Sequence, residues 1–273
     1  MAERISLSAA IRSNLLTLNR TAELGDRTQE RLASGLKVNS ALDDASAFFA
    51  AASLNNRADD LLGLKDSIDQ SISTLEAAIN GIEAITQLVE QAKGLAVTAK
   101  ATSDLTQRAT LATQFDALLS QINGLSNDAS YNGTNLISTA PDNLTVTFNE
   151  DSTSTLTVLG IDTSATGLNV GTAIASFALD VFIDIALTQV DTAIATLRTS
   201  AATLGSNSTV LQTRLNFTQG LANTLEEGSG KLTLADLNEE SANALSLETR
   251  QQLGLNSLSL AAQSEQAILN LFS

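Results

Sequence analysis

The chain has 273 residues, enough for one large or two modest domains, and it is 43% hydrophobic but only 3% aromatic. Its 30 acidic against 15 basic side chains leave a formal net charge of −15, which disfavours binding to nucleic-acid phosphates and to anionic lipid. The absence of Cys and His excludes thiol nucleophiles, imidazole bases, a disulfide framework and most transition-metal ligand sets, so neither an enzyme nor a cofactor is expected.

A single Pro leaves long helices nearly uninterrupted. The N-terminus lacks a basic segment followed by an unbroken apolar run, which argues against a Sec-type signal peptide. No stretch is apolar for long enough to span a bilayer, and no membrane insertion is expected.

From Ile11 a 4,3 ladder runs through Leu15, Leu18, Ala22, Gly25, Gln29, Leu32 and Leu36, predicting a first helix that Gly35 interrupts. Asn39 or Ser40 offers a cap for a helix beginning near Ala41. A long helical stripe follows through Leu61, Leu64, Ile68, Ile72, Leu75, Ile79, Ile82, Ile85, Val89, Ala92 and Ala96, and it tolerates Gly63, Gly81 and Gly94. A break near Thr102-Ser103-Asp104 precedes a shorter helix striped by Leu111, Phe115, Leu118, Ile122 and Leu125.

The period then changes from helical to alternating. After Asn132-Gly133 and Pro141, the runs Leu144, Val146, Phe148 and Leu156, Val158 alternate with polar residues and predict a small hairpin. Residues Ile137 to Ser176 are rich in Ser, Thr, Asp, Asn and Gly and read as an exposed insertion between two helical halves.

Between Ile183 and Leu225 the 4,3 spacing returns through Leu187, Val190, Ile194, Leu197, Ala201, Leu204, Leu211, Leu215 and Ala222, broken only by Ser208 and Thr218. Such a helix would be roughly 60 Å long, which points to a rod whose apolar seam needs other long helices as partners. Glu226 to Gly230 reads as a hinge. The last segment, from about Leu234, carries Leu255, Leu258 and Ala262 on one stripe and Leu260, Ala267, Ile268 and Leu271 on another. A helix that is apolar on two sides needs two sets of partners, so self-association is expected.

Three stretches carry a family resemblance. Residues Glu30 to Ser46, ERLASGLKVNSALDDAS, closely resemble the ERLSSGL..NSA.DDA signature of bacterial flagellins. The tract Asp69 to Val97 is similar to that family's long N-terminal helix, and Gln251 to Phe272 is similar to its terminal helix.

The resemblance implies a mainly α fold: a long antiparallel helical coiled-coil bundle made from both chain halves, with a small β-hairpin insertion in the middle. It further implies inner filament-core helices at 1–40 and 234–273, an outer bundle at 41–136 and 177–233, and a short surface insertion at 137–176. On this reading the self-association residues are Ile11, Leu15, Leu18, Ala22, Leu32, Leu36, Leu255, Leu258, Leu260, Ala262, Ile268 and Leu271. The implied function is an extracellular structural subunit of the flagellar filament, exported without signal cleavage; the alternative is a hook-filament junction protein, against which the short insertion argues.

The implied partners are other copies, sister flagellins, the flagellar export apparatus, an export chaperone, and cap and hook-associated proteins. Residues Gln91 to Val97, QAKGLAV, replace the RVRELAV pattern of flagellins recognised by the animal innate receptor, so receptor activation is not expected. O-linked sugar on Ser152, Thr153, Ser154, Thr155, Thr163 or Ser164 and an unmodified loop remain alternatives.

Other motifs carry no chemistry. Adjacent carboxylates on a helix diverge by about 100°, so Asp43-Asp44 and Asp59-Asp60 read as helix-terminal charge or salt-bridge partners. Gly228-Ser229-Gly230 lacks the context of a phosphate loop, and Tyr131 reads as a turn or packing residue.

Overall fold

A computed structural model describes residues 9–271, leaving aside the side chains of Ala9, Ala10, Glu265 and residues 268–271. In chain order the elements are α1 (Ala9–Ser34), α2 (Ala45–Ala101), α3 (Leu105–Asp128), β1 (Leu144–Thr147), β2 (Thr155–Val158), a tight turn (Ile174–Phe177), α4 (Asp180–Thr233) and α5 (Leu237–Leu271). The chain forms two compact units: Arg57–Thr224, and the residues up to Asn56 together with those from Leu225 onward. The fold is mainly α with one antiparallel hairpin, as the periodicities predict.

In the unit 57–224, the α2 stripe meets the α4 seam. Ile68, Leu75, Ile82 and Ile85 of α2, Phe115 and Ile122 of α3, and Ile183, Leu197 and Leu204 of α4 are fully buried in one cluster. Ion pairs fix α2 and α4 as antiparallel: Lys100 with Asp184, Lys93 with Asp191 at 2.5 Å, and Glu90 with Arg198 at 3.7 Å. Thr218, which breaks the apolar seam, is buried on it all the same.

The break before α3 is where the sequence places it. Asp104 caps the new helix, its carboxylate accepting from the Thr106 amide at 2.9 Å. Arg108 then ties the break to the start of α4, donating to the Thr102 carbonyl (2.7 Å) and to Asp180 (2.5 Å).

The middle segment departs from expectation. Instead of an exposed insertion, Ile137, Val146, Val158, Thr163, Ser164, Leu168 and Val170 are buried, and the apolar ones belong to the same core as the helices. The hairpin pairs Leu144 with Val158 and Val146 with Leu156, so period two turns one face inward while Thr145, Thr155 and Thr157 face water.

The polar composition that suggested a solvated loop serves internal turns. Ser126 and Thr163 hydroxyls both donate to the Ile137 carbonyl (2.6 and 2.8 Å), and the Asn135 amide donates to the carbonyls of Ser126 and Asn127. Gly81 marks the docking point: a Cβ there would lie 2.7 Å from Ile137 Cδ1 and 2.8 Å from Ala129 Cβ. Asn132 and Gly133, both at positive φ, make a two-residue turn closed by mutual amide–carbonyl bonds of Tyr131 and Thr134. The Tyr131 hydroxyl donates to Gln70 Oε1 at 2.9 Å, consistent with a turn and packing role.

The turn before α4 is left-handed. Ala175, Ser176 and Phe177 have φ of 46°, 53° and 58°. The fully buried Phe177 ring sits edge-on to Phe115 with centroids 5.4 Å apart.

In the other unit, α1 ends at Ser34. Gly35, at φ 72°, donates its amide to the Arg31 carbonyl and closes the last turn. The next helix starts at Ala45 rather than near Ala41, and its cap is Asp44, which accepts from the Ala47 amide at 3.0 Å. Asp43 instead braces the preceding turn, and the amide of Ser40 donating to its carboxylate, followed by the Ser40 hydroxyl, lowers its pKa.

The hinge expected at 226–230 is absent, and α4 continues unbroken to Thr233. Helical Gly costs about 1 kcal/mol against Ala, but a Cβ at Gly230 would stand 3.1 Å from Leu234 Cδ1, so the absent side chain makes room for the turn that follows. That turn is clasped by the strand-like segment after α1: the Lys37 amide donates to the Thr233 carbonyl (2.7 Å), and the Ala235 amide to the Gly35 carbonyl (2.9 Å).

Candidate self-association surface

The packing of α1 against α5 decides which apolar residues remain free. Asp236 opens α5 by accepting from the Asn238 amide at 2.9 Å, so the helix leaves the clasp with its register fixed. Along the contact, Arg31 pairs with Glu240 at 2.9 Å, and Glu240 is only 8% exposed. Further along, Gly254 lets α1 approach closely, because a Cβ there would be 3.1 Å from Leu18 Cδ1.

The α1 ladder is therefore used within the chain. Ile11 is buried, and Leu15, Leu18, Ala22, Leu32 and Leu36 are half-buried. On α5 the two expected stripes are redistributed. Leu258 is half-buried on the side that carries Glu240 and Gly254, whereas Leu255 and Ala262 are exposed. Ile268 and Leu271 are called for self-association by the sequence, but their side chains lie outside the described residues.

The most exposed of the described large apolar side chains of α5 form a row on its outer face. Leu245, Leu253 and Leu260 are each more than 60% exposed and recur at intervals of eight and seven residues, two helical turns apart. On α1, Leu16 (56%) and Leu24 (43%) are also exposed. Of these five, sequence reasoning singled out only Leu260, although the spacing from 245 to 260 is a signal that could have revealed the row. Burying one leucine is worth roughly 1.5–3 kcal/mol, so a partner covering the row would gain several kcal/mol before association costs.

The hairpin tip separates the hydroxyl candidates. Ser152, Thr153 and Thr155 are exposed and Ser154 is half-buried. Thr163 and Ser164 must be withdrawn as modification positions: both are buried, and the Thr163 hydroxyl is spent on the Ile137 carbonyl. The tip is anchored by Glu150, which pairs with Arg57 at 2.7 Å, and by Arg214 lying 4.9 Å over the Phe148 ring. The Glu150 backbone amide and then Arg57 hold the Glu150 carboxyl below the ordinary glutamate value.

No cluster of metal-ligating side chains occurs among the described residues, and no described helix is long and apolar enough to cross a membrane.

Residues 5–141 match the model of the bacterial flagellin N-terminal helical region, and residues 187–272 match that of the bacterial flagellin C-terminal helical region. Flagellin FljM of Caulobacter vibrioides is 34% identical over 259 residues, covering 94% of each chain. A flagellin of Brucella melitensis is 31% identical over 282 residues, covering 100% of this chain and 99% of that one. The crystal structure of Bacillus cereus flagellin aligns with a TM-score of 0.50 at 22% identity, covering 56% of this chain and 88% of that one, which supports the fold.

Proposed function

Because this chain belongs to the bacterial flagellin family, we infer that it is a structural subunit whose copies assemble into the flagellar filament, and that the α5 row is part of the contact between copies. The observation that carries the role of α5 is the exposure of Leu245, Leu253 and Leu260 in the isolated chain. A soluble monomer rarely keeps such a row in water, whereas a polymerising subunit does so until a neighbour arrives.

In this reading the segments 1–40 and 234–273 form the inner layer of the filament. Segments 41–136 and 177–233 form the surrounding bundle, and 137–176 faces outward while its inner side packs on that bundle. Neither the relatives nor the short, tightly packed middle segment favours the hook-filament junction alternative. Extracellular placement, passage through the flagellar export apparatus with a chaperone, contact with cap and hook-associated proteins, and O-linked sugar at 152–155 complete the proposal.

The test is seeded elongation with Leu253→Asp and Leu260→Asp. Both side chains are exposed in the monomer, so helix content should stay at the parent level. In the polymer an unpaired carboxylate would be buried at a cost of several kcal/mol, and elongation should stop. Elongation by both variants at the parent rate would remove α5 from the contact.

A further inference from the structure

The basic side chains are distributed unevenly between engaged and unengaged positions. In the unit 57–224 every one is occupied: Arg57, Lys65, Lys93, Lys100, Arg108 and Arg198 in ion pairs, and Arg214 over Phe148. In the other unit, Arg31 and Lys231 are paired, but Arg12, Arg20, Arg27, Lys37 and Arg250 have no ion-pair partner among the described residues. Two of these unengaged cations converge. Between α1 and α5 lies a cleft of about 250 Å³ whose lining includes Arg27, Thr28, Arg31, Glu240, Leu247 and Arg250.

Three guanidinium groups around one carboxylate leave a local surplus of two positive charges in a chain whose net charge is −15. Glu240 is committed to Arg31, so the surplus sits on Arg27 and Arg250. Glu240 and Thr28 form a nearly buried floor, 8% and 7% exposed, whereas Arg27 and Arg250 are exposed at the mouth. Such a cleft suits a planar oxyanion that accepts from two guanidinium forks.

We propose that this cleft receives a side-chain carboxylate from a second copy of the chain, so that an arginine-held anion fixes how subunits seat on one another. Charge complementarity selects a second copy as the occupant. The unit 57–224 carries far more carboxylates than cations, and Asp69, Glu76 and Glu83 recur on α2 at seven-residue intervals, exposed and without an ion pair among the described residues. Every copy thus carries both the unengaged cations and a surplus of unengaged acids. The proposal rests on the self-assembly reading and adds to it a polar contact that the exposed leucines cannot supply, since apolar burial is not directional.

The experiment uses the full-length chain, parent seeds, and the variants Arg27→Gln/Arg250→Gln and Arg27→Lys/Arg250→Lys, which leave Arg31 and Glu240 intact. The glutamine pair should keep the parent circular dichroism spectrum, raise the critical concentration for elongation about tenfold, and lose part of its dependence on ionic strength. The lysine pair should recover part of the loss.

Inorganic phosphate, compared with chloride at equal ionic strength, should inhibit the parent more than the glutamine pair. Equal critical concentrations and equal salt dependence for the parent and the glutamine pair would overturn the proposal. So would calorimetric binding of phosphate to the parent monomer with no effect on elongation, which would mark a site for free anions only. A parent chain that does not elongate at all would refute the filament reading itself and this proposal with it.

Discussion

Phe177 combines two opposed contributions, and substitution can separate them. Its ring is fully buried and meets Phe115 edge-on at 5.4 Å, so Phe177→Ala should cost about 3–5 kcal/mol through lost transfer energy and the cavity left behind. Its backbone sits at φ 58°, where a residue with a Cβ is strained by roughly 1–2 kcal/mol. Alanine keeps that strain and glycine relieves it. Phe177→Gly should therefore be less damaging than Phe177→Ala by about 1 kcal/mol, the reverse of the usual order for these two residues.

Urea unfolding of the monomer, followed by circular dichroism, measures the loss. Amide exchange at the starts of α3 and α4 localises it. A loss below about 1 kcal/mol for Phe177→Ala would contradict the burial argument, and a glycine variant less stable than the alanine variant would contradict the strain argument.

Asp104→Ala removes the side-chain cap of α3 and should cost about 1 kcal/mol, visible as faster amide exchange at Thr106 and Gln107 while α5 is unchanged. The Glu150 carboxyl has a lowered pKa in the folded chain, so its contribution is present above the unfolded value and is lost as pH falls through the folded one. Amide protection of β1 and β2 should accordingly weaken as the solution is taken below the ordinary glutamate range. In Arg57→Gln, protection should already be lower at neutral pH and should fall less steeply on acidification; identical pH profiles for the two chains would show that the pair does not anchor the hairpin tip.

The helices were legible because each buries a stripe whose 3.5 to 3.6 period is written in Leu, Ile, Val and Ala, and no competing period overlaps it. Their ends were less so. Asn39, Ser40, Asp43 and Asp44 can all cap, and only the path of the chain selects Asp44. The hinge expected at Gly228 and Gly230 followed intrinsic propensity, which packing overrode.

The burial of the middle segment was hidden by its composition. Ser126, Asn135 and Thr163 look like loop residues, but the Ser126 and Thr163 hydroxyls both donate to the Ile137 carbonyl and the Asn135 side-chain amide donates to the Ser126 carbonyl, and nothing local in the sequence distinguishes that from solvation. Family membership could be read from the ERLASGL segment. The leucine row and the arginine cleft could not, because which face of α5 stays free depends on where α1 lies.

The ion pairs between α2 and α4 have a consequence for counting. An apolar seam that repeats every seven residues looks the same to itself after a shift of one repeat, so hydrophobic contact alone leaves the alignment of two long helices degenerate. The charges remove the degeneracy in both directions. Displacing α4 one repeat one way would keep a partner for Lys100 in Asp191 but bring Lys93 opposite Arg198. Displacing it the other way would keep a partner for Lys93 in Asp184 but set Glu90 against Asp191. Each error places like charges face to face, and only the observed alignment matches all three, so six exposed side chains of small individual worth act together as a ruler for a seam that cannot measure itself.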